Sequence, residues 1–482
     1  MASFMFWATL AVVALAPLPL ASNRPWSWSL LSLLIGILLV LWAFAVVRDR
    51  SILPVQRSRY WPAAIIFAAL VLWFLVQASP LTPVVWHHPL WQQAGEALGR
   101  PISGAISLNP MASETTLMRL IGYAGVFWLG LQFGRNADRA RQIFWTLATA
   151  GLLYSIYGLV IDLGGYNMIL WYDKWAYQLS LTSTFVNRNS FAAYAGLALI
   201  VTLALMVPEL GKSLSLGLRS RAGIVHFLDH AGIGLFFLVV AFAVIATALL
   251  LSHSRGALVS TAIGIAVFLG MMAINRRMRM GTIVVAASAL GATAYVLLSF
   301  SGEMTLVRLA ELATDSGGRR VVQDLTAQAI GDAPITGTGL GTYGEVFQIY
   351  RDGRFGPQAP SYDKAHNTYL EFALEAGLPA FAAMMLVLGG IAALCLRGVL
   401  RRRRNAIYPA AGVAATALIG AHSAIDFPLQ IPAIAVAYML LMGTAYAQSW
   451  SRRRDGGRST TEGSLKTSIR PKDDDRRSRS AG

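Results

Sequence analysis

Residues 231–275 read AGIGLFFLVVAFAVIATALLLSHSRGALVSTAIGIAVFLGMMAIN, two long apolar runs separated by the polar turn SHSRG at 252–256. About 20 apolar residues cross the hydrocarbon core of a bilayer as an α-helix, which satisfies its own backbone hydrogen bonds. Two such runs joined by so short a turn predict a pair of antiparallel transmembrane helices.

The same pattern recurs along the whole chain of 482 residues. Of these residues 55% are hydrophobic and only 13% are charged, whereas a soluble domain carries about 25% charged residues. The mean hydropathy is +0.54. We therefore predict an all-α polytopic membrane protein with about twelve spans, near residues 4–21, 27–47, 60–78, 116–133, 143–162, 190–208, 231–251, 257–275, 282–300, 368–396, 406–425 and 431–449.

Charge patterning predicts the orientation of these spans. When the sides alternate, most of the 40 Lys and Arg residues fall on one side, in segments 48–59, 134–142, 209–230, 276–281, 397–405 and the tail after 449. Basic residues concentrate in cytoplasmic loops. We therefore expect both termini in the cytoplasm, and the net charge of +16 is explained without a nucleic-acid partner.

The opposite side holds the large segment 301–367, which is too long for a simple connector. We expect one membrane domain over 1–450 that includes this loop, followed by a disordered basic and polar tail over 451–482. The glycines of GTGLG at 337–341 lack the strand-then-helix context of a nucleotide loop. His366, His422 and Asp426 could bind a metal, but no metal-ligand spacing such as HExxH occurs.

Four polar clusters fall on the side of the large loop. They are TFVNRNS at 184–190, SHSRG at 252–256, KAHNTYLE at 364–371 and AHSAIDFP at 421–428. Arginine near hydrocarbon is costly, so the positions of Arg188 and Arg255 require an explanation. One explanation is that their side chains reach out to the membrane interface. The other explanation is that they bind a diphosphate, whose oxygens match the guanidinium fork.

His366 is the strongest candidate for chemistry, because an imidazole titrates near neutral pH and can act as a general base. A buried structural histidine is the competing interpretation. His422 and Asp426 are four residues apart and would share a helical face if the helix persists. For that pair a structural hydrogen bond within the membrane is favoured over direct catalysis.

Taken in order, these motifs resemble the O-antigen ligase and O-antigen polymerase superfamily of bacterial inner-membrane proteins. The resemblance covers about residues 145–430 and is carried by TFVNRNSFAAY at 184–194, SRGA at 254–257, PITGTGLGTY at 334–343 and HNTYLE at 366–371.

The resemblance implies a membrane-glycosyltransferase-like architecture with a large periplasmic loop and a periplasmic active site. It implies transfer of a glycan from an undecaprenyl-diphosphate carrier to a hydroxyl of a glycan or lipid A-core acceptor, in lipopolysaccharide or exopolysaccharide biosynthesis. The family's paired arginines map onto Arg188 and Arg255 and its histidine onto His366. Direct displacement would invert the anomeric carbon, and the resemblance implies that no metal, nucleotide or other cofactor is required. Supporting residues are expected among Asn187, Asn367, Arg319, Arg320, Tyr369, Glu371, His422 and Asp426.

Two other classes of protein compete with this enzyme. A transporter or flippase of lipid-linked glycans would suit twelve spans, but such proteins bind near the membrane midplane with matching broken helices in two halves. A non-catalytic scaffold would leave the co-located Arg, Arg and His residues unexplained. Within the enzyme class, the sequence does not separate ligase from polymerase.

Overall fold

A computed structural model describes residues 2–53, 55–214, 233–275, 320–355, 362–402 and 404–450. In these ranges most of the chain is helical, and there is almost no sheet. In chain order the helices are α1 Ala2–Leu15, α2 Pro25–Arg48, α3 Trp61–Ala78, α4 Leu90–Ala97, α5 Pro110–Phe133, α6 Ala137–Leu163, α7 Arg188–Leu214, α8 Ile233–Leu251, α9 Arg255–Ile274, α10 320–332, α11 Tyr343–Tyr350, α12 Thr368–Ala376, α13 Leu378–Arg401, α14 Ile407–Ser423 and α15 Pro432–Gln448.

The prediction of an all-α polytopic membrane protein is confirmed. Among the described residues, seven helices are long and apolar enough to cross a membrane: Pro25–Arg48, Trp61–Ala78, Ala137–Leu163, Arg188–Leu210, Ile233–Leu251, Arg255–Ile274 and Leu378–Arg401. The strands β1 Met168–Ile169 and β2 Tyr172–Asp173 form one small antiparallel hairpin. This chain is therefore a multi-pass membrane protein.

Two predicted spans differ from the helices observed. The span predicted at 4–21 ends at Leu15, because Pro17 and Pro19 follow and Leu20 to Ser22 adopt left-handed backbone angles. The span predicted at 368–396 is two helices, the short α12 and the apolar α13. The predicted span at 282–300, the first part of the large loop (301–319) and the tail 451–482 lie outside the described residues.

Gly377 makes the break between α12 and α13. Its φ of +82° is in the left-handed region that favours glycine. A Cβ atom there would fall on the carbonyl oxygen of Ile335. The glycine-rich turn at 337–341 packs against this break: the Gly339 N–H donates to the Glu375 carbonyl at 3.0 Å, and the Thr338 N–H donates to the Leu374 carbonyl at 3.1 Å. In the described structure this turn therefore holds the end of α12.

The helices α7 and α15 lie at the centre of the membrane domain. Both are buried along most of their length. Small residues allow the backbones of neighbouring helices to approach closely. Gly443 of α15, for example, lies directly against the backbone of α5 at Phe127. The part of the large loop that is described forms a second, smaller core, in which Val322, Tyr343 and Phe347 pack against Leu374 and Ala365. That core holds the chain immediately before His366.

Candidate active site

Three helices begin at the predicted polar clusters. The Asn187 side-chain oxygen accepts hydrogen bonds from the N–H groups of Asn189 (2.7 Å) and Ser190 (3.4 Å) at the start of α7. Asn367 caps α12 in the same way, accepting from Tyr369 (3.0 Å) and Leu370 (3.1 Å). Such caps satisfy N–H groups that have no partner within the helix. They fix Arg188 as the first residue of α7 and His366 just before α12.

Asn189 joins three of the four clusters. Its side-chain N–H donates to Asp426 Oδ2 at 2.6 Å, and its side-chain oxygen accepts from Ser254 Oγ at 2.7 Å. His366 from the remaining cluster places Nδ1 3.5 Å from Asp426 Oδ1. Ser254, Asn189, Asp426 and His366 thus form one continuous polar string, although they come from segments up to 237 residues apart.

Asp426 is the centre of this string. Its carboxylate is buried and also accepts a hydrogen bond from the Phe427 N–H at 3.0 Å. Burial alone would raise the pKa of Asp426, but the contact with His366 and the nearby His422 outweigh burial and hold that pKa below its usual range. The site therefore favours an ionised Asp426 facing the imidazole.

The backbone of His366 is left-handed, with φ of +49°, which is uncommon for a residue with a side chain. The residues on either side hold it. The Ala365 N–H donates to Glu371 Oε2 at 2.9 Å, and Asn367 caps α12. The imidazole packs 5.3 Å from the Phe427 ring and its side chain is 20% exposed. The ring is thus fixed on the Asp426 side while it keeps access from outside.

Each of the two arginines is the sequence neighbour of a residue in the Asn189–Ser254 hydrogen bond. Arg188 precedes Asn189, donates to Ser180 Oγ at 3.3 Å and lies over the Tyr177 ring at 5.5 Å. Arg255 follows Ser254 as the first residue of α9 and is half-buried. The starts of α7 and α9 therefore meet, and helix N-termini favour anions.

The other predicted supporting residues take separate places. Tyr369 donates to the Gly420 carbonyl at 2.8 Å, and Glu371 pairs with Lys364 at 3.2 Å. These contacts tie α12 to its neighbours and do not reach the His366 ring. Arg320 is exposed at the start of α10, and Arg319 lies outside the described ranges.

The expected pairing of His422 with Asp426 on one helical face does not form. α14 ends at Ser423, so Asp426 lies beyond the helix and its carboxylate faces His366. His422 is buried, and its carbonyl accepts the Asp426 N–H at 2.9 Å. Within the described ranges, no three His, Cys, Asp or Glu side chains come together as a metal-binding group.

Sequence reasoning missed three residues. Asn189 and Ser254 lie inside the quoted motifs, but their role as a bridge depends on contacts between distant segments. Arg119 gave a signal that was overlooked, since it is an arginine within the predicted span 116–133. It lines a cavity between α5 and α12 to α15.

Comparison with known proteins agrees with the motifs. Residues 240–385 match the O-antigen ligase family model, a stretch that includes Arg255 and His366. The chain is also 26% identical over 226 residues to the exopolysaccharide production protein ExoQ of Rhizobium meliloti (strain 1021), covering 45% of this chain. The match spans about half of that relative, 47% of its length. Both comparisons support the resemblance to the O-antigen ligase and O-antigen polymerase superfamily that the motifs carry.

Proposed function

We propose that this protein is a glycosyltransferase that moves a glycan from an undecaprenyl-diphosphate carrier to an acceptor hydroxyl at the periplasmic face of the bacterial inner membrane. The observation that carries the proposal is the polar string from Ser254 through Asn189 and Asp426 to His366. It supports a shared pocket for the base and for the two helix starts that bear Arg188 and Arg255.

His366 is the general base of this proposal. Nδ1 faces Asp426 at 3.5 Å, which leaves Nε2 on the far side of the ring for the acceptor. Nε2 takes the hydroxyl proton as the acceptor oxygen bonds to the anomeric carbon. Asp426 orients the imidazole and stabilises the imidazolium that forms, as the carboxylate does in other His-Asp pairs.

Arg188 and Arg255 hold the leaving group. As the bond from the anomeric carbon to the carrier oxygen breaks, its electron pair stays on the diphosphate, where charge builds up. Guanidinium forks and the N-termini of α7 and α9 stabilise such charge. A single displacement of this kind inverts the anomeric configuration and needs no metal.

The acceptor is a growing glycan or a lipid A-core. The relative from Rhizobium meliloti is named for exopolysaccharide production, which favours a glycan acceptor and a polymerase. Analysis of the glycan lost on deletion separates the two: a polymerase defect shortens the chains, whereas a ligase defect leaves full-length chains unattached.

Turnover by purified protein tests the proposal. His366→Ala is expected to abolish new glycosidic bonds from an undecaprenyl-diphosphate-linked oligosaccharide, because the imidazole that takes the acceptor proton is lost and the carboxylate of Asp426 behind it is buried. His88→Ala is the matched control, since His88 lies in the separate 79–109 loop. Normal turnover in His366→Ala would exclude this base. Passage of the lipid-linked glycan across vesicles without new bonds would favour a flippase.

The arginine clamp has its own test. Arg188→Lys and Arg255→Lys keep the charge but lose the fork, so each is expected to slow turnover at least tenfold. Unchanged turnover in both variants would rule out the clamp.

Orientation is tested with topology reporters. Fusions after residue 330 are expected to report the periplasm, and fusions after residue 402 the cytoplasm, because the basic loops stay inside. A cytoplasmic result at residue 330 would put the proposed site on the wrong face.

A further inference from the structure

A loop at residues 174–180 lies over the start of α7. Its sequence is KWAYQLS, and it connects the hairpin β1–β2 to the segment that leads into α7. Trp175 and Tyr177 of this loop are 50% and 37% exposed. The Arg188 side chain contacts both Tyr177 and Ser180. Two exposed aromatic rings therefore lie beside one residue of the proposed diphosphate clamp.

Hydrogen bonds hold this loop in one shape. Lys174 is buried, and its ammonium group donates to the Ser180 carbonyl at 2.6 Å, which closes the loop. The Gln178 side chain donates to the Lys174 carbonyl at 3.3 Å, and the Ser180 N–H donates to the Tyr177 carbonyl at 3.1 Å. A loop that is already ordered loses little freedom when a ligand binds to its exposed rings.

Each exposed ring of the loop packs against an arginine. The Tyr177 ring centre is 5.5 Å from the Arg188 guanidinium, and the Trp175 ring centre is 5.3 Å from the Arg24 guanidinium. Arg24 immediately precedes α2, so it comes from a distant part of the sequence. Because Trp175 and Tyr177 are only two residues apart, the loop brings Arg24 close to the proposed clamp.

The charge of Arg24 is not neutralised within the described part of the chain. There Arg24 makes no ion pair with a carboxylate, and this includes Asp173, two residues before Trp175. Asp162 lies close enough to attract Lys174 instead. A ring beneath a guanidinium stabilises the cation and keeps its charge. Arg24 is therefore a cation that can meet an anionic group of a ligand.

An exposed ring beside such a cation suits an acidic sugar. The flat face of an aromatic ring packs against the apolar C–H face of a pyranose, and a guanidinium fork pairs with both oxygens of a carboxylate. In the proposed donor, the sugars follow directly on the diphosphate. The loop connects Arg24 and Trp175 to the clamp residue Arg188 through Tyr177, where those sugars would lie.

We propose that Arg24 and Trp175 form a subsite for an acidic sugar of the donor glycan, next to the diphosphate held by Arg188 and Arg255. The assignment rests on the proposed glycosyl transfer and adds a specificity to it: the donor carries a uronic acid or another carboxylated sugar. The competing explanation is that the loop anchors the protein in the outer leaflet, since Trp and Tyr are common at membrane interfaces. An interfacial ring needs no arginine partner, so the paired arginines favour the sugar subsite.

Two probes that differ by one carboxylate test the subsite. They are undecaprenyl diphosphate carrying cellobiose and the same lipid carrying cellobiouronic acid, in which the outer sugar is glucuronic acid. Microscale thermophoresis measures their binding to the purified full chain in phosphatidylcholine nanodiscs. The variants are Arg24→Gln and Trp175→Leu. Their matched controls are Arg100→Gln, an exposed arginine of the 79–109 loop, and Trp171→Leu, an exposed hairpin residue with no arginine over its ring in the described structure.

We expect wild type to bind the acidic lipid about fivefold more tightly than the neutral one, as fits a partly exposed ion pair. Arg24→Gln is expected to lose this preference and keep the wild-type affinity for the neutral lipid. Trp175→Leu is expected to weaken binding of both lipids about fivefold, because the ring supports either sugar. Arg100→Gln and Trp171→Leu should bind as wild type does. In turnover, Arg24→Gln should raise the KM for the acidic donor and leave kcat unchanged.

Equal affinities of wild type for the two lipids would overturn the subsite. Loss of the preference in Arg100→Gln as well would also overturn it, since the outer surface would then attract anions in general. Wild-type binding by Trp175→Leu would assign the loop to the membrane interface and would likewise overturn the subsite.

Failure of the subsite and failure of the proposed function give different results. Binding is measured without turnover, so normal turnover in His366→Ala would sink the proposed chemistry and leave the measured affinities intact. Equal affinities for the two lipids, together with loss of turnover in His366→Ala, would remove the subsite and leave the glycosyl transfer standing.

Discussion

Replacement of Asp426 by Asn tests the proposed base most directly. The two side chains have nearly the same shape, and asparagine keeps one oxygen to accept hydrogen bonds from Asn189 or from the Phe427 N–H. What the variant loses is the negative charge 3.5 Å from His366 Nδ1. We expect the fold to survive and glycosyl transfer to slow.

The size of the effect follows from that distance. Opposite unit charges about 4 Å apart attract by about 4 kcal/mol at an effective dielectric constant of about 20. The imidazole is 20% exposed, and solvent screening reduces the attraction to about 2–3 kcal/mol. In the proposed reaction the imidazolium forms only as the proton moves, so loss of this attraction slows turnover. At 1.36 kcal/mol per factor of ten, 2–3 kcal/mol corresponds to turnover that is about 30- to 150-fold slower.

The assay follows release of undecaprenyl diphosphate by purified protein in nanodiscs, together with the unfolding temperature. Asp332→Asn is the control, because Asp332 accepts from the exposed Tyr350 hydroxyl. Asp426→Asn turning over within about threefold of wild type, at an unchanged unfolding temperature, would refute the electrostatic reasoning. A large fall in unfolding temperature would instead assign Asp426 a structural role.

Three further predictions concern the elements around the site. Asn189→Ala removes both hydrogen bonds of the bridge and is expected to slow turnover at least tenfold, whereas Ser254→Ala removes one and should have a smaller effect; the reverse order would contradict the bridge. Gly377→Ala is expected to lower the free energy of unfolding by about 2 kcal/mol or more, because alanine would have a strained left-handed backbone and its Cβ would clash. Gly390→Ala should not destabilise the protein. Equal unfolding temperatures of the two variants would contradict this prediction. Burial, with Glu371 adding to it, raises the pKa of Glu375 in the short helix α12 to about 7. The folded chain therefore holds this proton more tightly than the unfolded chain, so the unfolding temperature should fall as pH rises from about 5 to 8, and Glu375→Gln should show a weaker dependence.

Much of the fold was readable from the sequence, because the length of an apolar run is a local property. Runs of about 20 apolar residues predicted helices in a bilayer, and α2, α3, α8 and α9 match their predicted spans closely. Polar clusters at helix starts were also readable, since Asn at 187 and 367 is a local capping signal. The geometry of the break at Gly377 depends on contact with the distant turn at 337–341, so no local pattern defines it.

The amino-acid sequence by itself determined the class of protein, the arginines and histidine of interest, and the motifs that carry the family. The tertiary structure decided which groups meet. Asp426 was expected to pair with His422 along one helix, and instead it faces His366 because α14 ends at Ser423. Hydrophobicity and capping act between neighbours along the chain, whereas Asn189 reaches Asp426 across 237 residues, and only the packing of helices against one another brings such groups within hydrogen-bond distance.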